Sequence, residues 1–123
     1  MLNFKVLYVD DEQDNLFAFR SVFRRFFKVL TAIGGKEAIE LLSKESVDLV
    51  LSDQRMPHMS GVELCEYVMN NYPEAKRMIV TGYSDKAPIE AAIREGKISH
   101  LISKPWNVEE LRELIVSSLQ NEA

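Results

Sequence analysis

Five side chains in this sequence have the types and the placement to handle a divalent cation or a phosphoryl group: Asp10, Asp11, Asp53, Thr81 and Lys104. Each follows or ends a short apolar run. Lys5-Val6-Leu7-Tyr8-Val9 stops at Asp10-Asp11-Glu12, Asp48-Leu49-Val50-Leu51-Ser52 at Asp53, the run 76–81 ends on Thr81, and the run 99–102 leads to Lys104-Pro105. Carboxylates gathered in one small space repel, and raise one another's pKa unless a cation sits among them. Hard oxygen ligands with room for a phosphate oxygen suit Mg²⁺, which keeps several waters and uses few protein ligands. A lysine is a mobile cationic donor suited to a phosphoryl oxygen, and a threonine hydroxyl can serve a second one. An aspartate facing a cation and a lysine is arranged for nucleophilic attack on phosphorus.

The elements that must bring these residues together are legible in the hydrophobic pattern. Residues 5–9, 28–32, 48–52, 76–81 and 99–102 read as strands, rich in apolar and β-branched residues and bounded by turn or charged residues. Between them lie amphipathic stretches. Asp14–Phe27 carries Leu16, Phe19, Phe23 and Phe26 at helical spacing, and 36–43 carries Ala38, Leu41 and Leu42. Ser60-Gly61-Val62-Glu63 has the form of a capping box and opens a third helix with Val62, Cys65, Val68 and Met69 inward. A fourth helix spans 86–95, ended by Gly96, and Asn107 caps a fifth that runs to Leu119, with Val108, Leu111, Ile115 and Leu119 inward. Five strand-then-helix units in succession predict an α/β, doubly wound parallel sheet with five helices. Ligands of such sheets sit beyond the carboxyl ends of the strands, which is where the acidic, hydroxyl and lysine residues fall.

Composition narrows the class further. A chain of 123 residues, 46% hydrophobic and 28% charged, is one domain, 1–123, without the bias of disordered, collagenous or disulfide-rich proteins. Its single cysteine, Cys65, fits a reducing compartment. No apolar run approaches the roughly 20 residues that cross a bilayer, and the first residues carry no signal-peptide core, so a cytoplasmic protein without membrane contact is expected. A net charge of −4 with no large basic cluster argues against direct nucleic-acid binding by this domain.

With these motifs in order, the chain resembles the receiver domains of two-component response regulators. The matching runs are Val9-Asp10-Asp11-Glu12, Leu51-Ser52-Asp53-Gln54-Arg55-Met56-Pro57 followed by Gly61, Val80-Thr81-Gly82, and Lys104-Pro105. Asp-Gln-Arg-Met-Pro together with Lys104-Pro105-Trp106 is similar to a subset often attached to cyclic-di-nucleotide phosphodiesterase or transcription-activator modules. The resemblance implies a flavodoxin-like sheet of order 2-1-3-4-5 and a phosphorylation-activated switch served by a sensor histidine kinase or phosphotransfer protein. It implies that Asp53 is the phosphoacceptor. Mg²⁺ would be held by Asp11 and Asp53 directly, by Asp10 largely through water, and by the backbone carbonyl of Arg55. Thr81 and Lys104 would hold phosphoryl oxygens, a cis bond before Pro105 would aim Lys104, and Gly82 would leave room for the phosphoryl group. Arg55 and Tyr83, two residues beyond the acceptor and the threonine, would modulate dephosphorylation. The face of the fourth helix, fifth strand and fifth helix would carry the output to an attached module or partner, with a homodimer as one possible consequence of phosphorylation. One position departs from the pattern: three residues before the lysine the family usually has Tyr or Phe, and here it is Leu101.

Other residues have plainer readings. His58 and His100 have no second soft ligand at metal spacing and read as solvent or edge residues. Cys65 reads as a small buried hydrophobe, and the phenylalanines of the first helix as core. Trp106 has two readings, packing on the last helix or an interaction surface. Two rival functions share the site chemistry. A metal-dependent phosphohydrolase would need a substrate-capping insertion and a general acid two residues past Asp53, where Arg55 stands. A phosphorylation-independent interaction module of the same shape would have no use for the full acceptor set.

Overall fold

The structure is a computed structural model that describes residues 3–82 and 86–120. Five strands, β1 (Lys5–Val9), β2 (Lys28–Ala32), β3 (Leu49–Asp53), β4 (Lys76–Thr81) and β5 (His100–Ser103), form one parallel sheet of order β2-β1-β3-β4-β5. The helices are α1 (Gln13–Phe23), α2 (Gly35–Leu42), α3 (Gly61–Asn71), α4 (Ala87–Arg94) and α5 (Val108–Gln120). The expected α/β class and strand order both hold.

Alternation along the strands divides the core. Val6, Tyr8, Leu49, Leu51, Met78 and Val80 point to one face, under Leu16, Phe19 and Phe23 of α1 and Leu111, Ile115 and Leu119 of α5. Leu7, Val9 and Val50 point to the other, under α2 and α3. Ile79 continues that second layer with Cys65, Ile89, Ala92 and Ile98 beneath α3 and α4. β3, central in the sheet, is buried at every residue, whereas β5 at the edge is at most half-buried.

Several local expectations shift. The first helix ends at Phe23, not Phe27, because the chain turns through 24–26 and places Phe27 in the core from outside the helix. Phe17 is 75% exposed and is not part of the core, since it lies on the helix flank away from Leu16, Phe19 and Phe23. In α3 the buried face is Gly61, Leu64, Cys65 and Val68, so Leu64 takes the place expected for Val62 and Met69, which are only half-buried. The two helix caps hold as expected. Ser60 Oγ accepts from the Glu63 N–H at 3.1 Å while Glu63 accepts from the Ser60 N–H at 2.8 Å, and Asn107 Oδ1 accepts from the Glu110 N–H at 2.9 Å.

Candidate functional site

The carboxyl ends of β1, β3, β4 and β5 converge as the sequence pattern requires. Asp53 is the last residue of β3 and Thr81 the last of β4 (5% and 1% exposed), while Asp10 follows β1 and is fully buried. One oxygen each from Asp10, Asp11 and Asp53 lie within 4.8 Å of one another, Asp11 being the most exposed of the three. This donor set, all hard carboxylate oxygen, fits Mg²⁺ rather than a softer metal.

Lys104 closes the site from the β5 side. Its Nζ donates to Asp10 Oδ2 at 3.0 Å and to Asp53 Oδ2 at 3.3 Å, while its backbone N–H donates to the Thr81 carbonyl at 3.0 Å. The Lys104–Pro105 peptide bond is cis, as expected. The electrostatics follow from burial and pairing. Burial raises the Asp53 pKa, the Lys104 charge opposes it, Asp10 adds to it, and the net direction is upward. Burial works to lower the Lys104 pKa, but the hydrogen bond to Asp10 and the charges of both carboxylates outweigh it and raise it.

The two buried carboxylates differ in how they are held. Asp53 Oδ1 accepts the Gln54 N–H at 2.8 Å. Asp10 Oδ1 accepts the Glu12 N–H at 3.0 Å, and its Oδ2 accepts from Tyr8 Oη at 3.1 Å and Asn15 Nδ2 at 3.2 Å besides Lys104. Sequence reasoning missed Tyr8 and Asn15. Tyr8 read as one more apolar strand residue, although a tyrosine in a strand buried on both faces must find a partner for its hydroxyl.

The loop between β3 and α3 is built around Asp53. Gln54 accepts the Gly61 N–H on its backbone carbonyl at 3.0 Å and the Val62 N–H on its side-chain oxygen at 2.9 Å, satisfying two orphan donors of α3. Gly61 is glycine for a steric reason: a Cβ there would collide with the Asp53 carbonyl oxygen and press on Ile79 Cδ1. Arg55 is exposed in this loop, and His58 holds a positive φ of 71° beside the Met59 N–H to Pro57 carbonyl bond of 2.8 Å. A Cβ at Gly82 would meet Lys104 Cβ at an ordinary 3.7 Å, so the fold itself tolerates a side chain there. Leu101 is half-buried against the α3–α4 cluster, and Tyr83 lies outside the described residues.

The remaining residues separate cleanly. Cys65 is fully buried, and burial pushes its thiol up to about 12, so it is an inert hydrophobe. His58 is exposed, and His100 Nδ1 lies 3.0 Å from Ser99 Oγ at the sheet edge. Trp106 packs, but on α1 as well as locally: its ring meets Phe23 at 5.4 Å and Phe19 at 6.0 Å, both edge-on.

Comparison with known proteins agrees with this geometry. The chain is 40% identical over 115 residues to the hydrogenase transcriptional regulatory protein HoxA of Bradyrhizobium diazoefficiens, covering 94% of this chain and 24% of that protein. The chain thus spans about a quarter of that relative's length. The signal receiver domain of an HD domain-containing protein from Pseudomonas fluorescens superposes with a TM-score of 0.88 at 30% identity, covering 97% of this chain and 95% of that one. The response regulator TrrA of Thermotoga maritima, solved in complex with Mg²⁺ and beryllofluoride, superposes with a TM-score of 0.81 at 25% identity, covering 93% and 97%. Residues 6–116 match the response regulator receiver domain, and the chain belongs to that family.

Proposed function

We propose that this phosphorylation-activated signalling domain accepts its phosphoryl group on Asp53. The observation that carries the reading is Lys104 Nζ bridging Asp10 and Asp53 beside a trio of converging carboxylates. A carboxylate oxygen of Asp53 forms the new bond to phosphorus as the bond from phosphorus to the leaving group breaks. The leaving group departs with that electron pair, and Asp53, reacting as a carboxylate, loses no proton. Thr81 and Lys104 serve the phosphoryl oxygens. Mg²⁺ bound at the carboxylates neutralises charge on them and on the phosphoryl oxygens. Asp11, Asp53 and the Arg55 carbonyl would hold it directly, and Asp10 would act through water. The donors already crowded on Asp10 support that ranking.

The donor is a sensor histidine kinase or phosphotransfer protein. The exposed Phe17 on α1, the helix that starts beside Asp10 and Asp11, supports docking on that side. The α4–β5–α5 face carries the output, to an attached module or a separate partner, with homodimerisation as one form it can take. Half-burial of β5 and exposed Ile93 on α4 support this assignment. The domain performs no catalysis beyond its own phosphorylation and hydrolysis. Arg55, together with Tyr83, tunes the lifetime of the acyl phosphate, and the cytoplasm, where such donors reside, is its compartment. Nothing in the geometry of the described residues favours a phosphohydrolase or a phosphorylation-independent module.

Intact mass after incubation with a small acyl-phosphate donor and Mg²⁺ tests the proposal. Wild type should gain one labile phosphoryl group, and should gain none when a chelator replaces Mg²⁺. Asp53→Asn should reduce labelling at least a hundredfold. Equal labelling of the variant would assign the acceptor elsewhere.

A further inference from the structure

The bonds around Asp10 point to a role for a residue outside the receiver motifs. Tyr8 is 1% exposed, and its ring lies flat on Phe19 with centroids 4.2 Å apart and planes 4° from parallel. Phenylalanine would fill this space equally well. What tyrosine adds is one hydroxyl, donated at 3.1 Å to Asp10 Oδ2. Asn15, from the first turn of α1, donates to the same oxygen at 3.2 Å and is itself braced on Glu12 Oε1 at 3.2 Å. Lys104 Nζ makes the third bond to that oxygen, at 3.0 Å.

Three donors on one carboxylate oxygen compete, and only one of them has another task. To serve a phosphoryl oxygen on Asp53, Lys104 must loosen its hold on Asp10, a fully buried carboxylate whose oxygens must keep hydrogen-bond donors. We propose that Tyr8, with Asn15, is a positioning residue that satisfies Asp10 in place of Lys104 and so releases the lysine for the phosphoryl group. Without the Tyr8 hydroxyl, Asp10 Oδ2 binds Lys104 more tightly, and the lysine is less available at Asp53. Because Phe19 touches both Tyr8 and Trp106, the exchange also has an optical reporter two residues past the lysine.

The inference rests on the proposed role of Asp53 and Lys104, and beryllofluoride, which stands in for a phosphoryl group on a carboxylate, separates the two. Mg²⁺ affinity and beryllofluoride affinity at saturating Mg²⁺ are measured by Trp106 emission and calorimetry for wild type, Tyr8→Phe and Asn15→Ala, with thermal melts alongside. Tyr8→Phe should weaken beryllofluoride binding about tenfold while changing Mg²⁺ affinity less than about twofold. Asn15→Ala, on a helix surface, should show the same split with a smaller loss, and it carries the test if Tyr8→Phe does not fold. A parallel fall in both affinities would mean general disruption of the site and would overturn the proposal. Unchanged beryllofluoride affinity in folded variants would overturn it too. Failure of wild type itself to bind beryllofluoride would instead strike the role given to Asp53, and this proposal with it.

Discussion

The two flanks of the acidic rim are built differently. On the β1 side, Asp10 takes hydrogen bonds from the Glu12 backbone and from three side chains, over a cluster in which Tyr8, Phe19, Phe23, Phe27 and Trp106 interlock. On the β4–β5 side, Thr81 and Lys104 stand over Cys65, Ile79, Ile89, Ala92 and Ile98, which are all small or aliphatic. β5 is only half-buried and α4 is the eight-residue helix Ala87–Arg94. Aromatic rings bring large buried area and fixed mutual orientation, whereas a small aliphatic cluster gives up little when a helix shifts by an ångström or two. One flank is therefore a frame that holds the metal-side carboxylates. The other has fewer large contacts to hold it, as the output role proposed for its α4–β5 face requires.

The largest expected effect tests this division directly. Phe19→Ala removes the ring that joins Tyr8 to Trp106 and should cost about 3–5 kcal/mol, a large share of the stability of a domain this size. Since that ring props α1 on β1, the two elements that flank Asp10 and Asp11, Mg²⁺ affinity should fall as well, unlike in Tyr8→Phe, which keeps the stack. Ile89→Ala should fall toward the low end of about 2–5 kcal/mol, because α4 can settle into the gap, and should leave Mg²⁺ affinity unchanged. Urea unfolding and Mg²⁺ calorimetry on both variants check it. If Ile89→Ala disturbed Mg²⁺ as much as Phe19→Ala, the two flanks would not be separable.

The frame was also the harder half to read from sequence. Strand ends announce themselves by chemistry, so Asp10, Asp53, Thr81 and Lys104 fell on one rim from pattern alone, and the doubly wound class followed from alternation. Tyr8 did not announce itself, because hydrophobic periodicity records only that a residue is inside and says nothing of where a buried hydroxyl points. Asn15 looked like one polar residue on a helix, and its partner Asp10 is visible only when β1 and α1 are set side by side. The end of α1 was misjudged for a related reason. Phe26 and Phe27 continue the apolar pattern, yet Phe27 reaches the core from a turn, and a pattern cannot tell these routes apart. Trp106 had two readings until α1 was placed over β1, where Phe19 and Phe23 supply its packing.

A middle-sized effect sharpens the contrast at Asp53, between the flanks. Its pKa is raised because burial outweighs the Lys104 charge. A carboxyl with a folded pKa above its unfolded value binds more protons when folded, so stability falls as pH rises through that titration and stays lower at neutral pH. Asp53→Asn should therefore raise the melting temperature at pH 7 without divalent cation. The advantage should shrink below about pH 4, where the wild-type carboxyl is protonated in both states. Adding Mg²⁺ should stabilise wild type and leave the variant nearly unmoved, reversing the order. A variant less stable than wild type at pH 7 would show that the Lys104 pairing, not burial, dominates at Asp53.

The smallest effect concerns the loose flank alone. Leu101 stands beside Ile79 in the β4–β5 register and is half-buried against the α3–α4 cluster, at the place where the family usually carries an aromatic ring. A group on Asp53 can shift a conformational equilibrium only by contacts that differ between the two states, and an aliphatic side chain at position 101 offers few of them. Leu101→Tyr puts a ring into a cluster that, among the described residues, has none. It should change stability by no more than about 0.5 kcal/mol, the residue being only partly buried. It should nevertheless enlarge the amide chemical-shift changes in α4 and α5 when beryllofluoride and Mg²⁺ are added. Phe19 and Trp106 resonances on the other flank should respond alike in both proteins, since their links to the site, Tyr8 and Lys104, are the same in both. Identical α4 and α5 shifts in variant and wild type would mean that the signal leaves Asp53 by a route other than position 101. The aromatic flank would then have to be treated as a conductor as well as a frame.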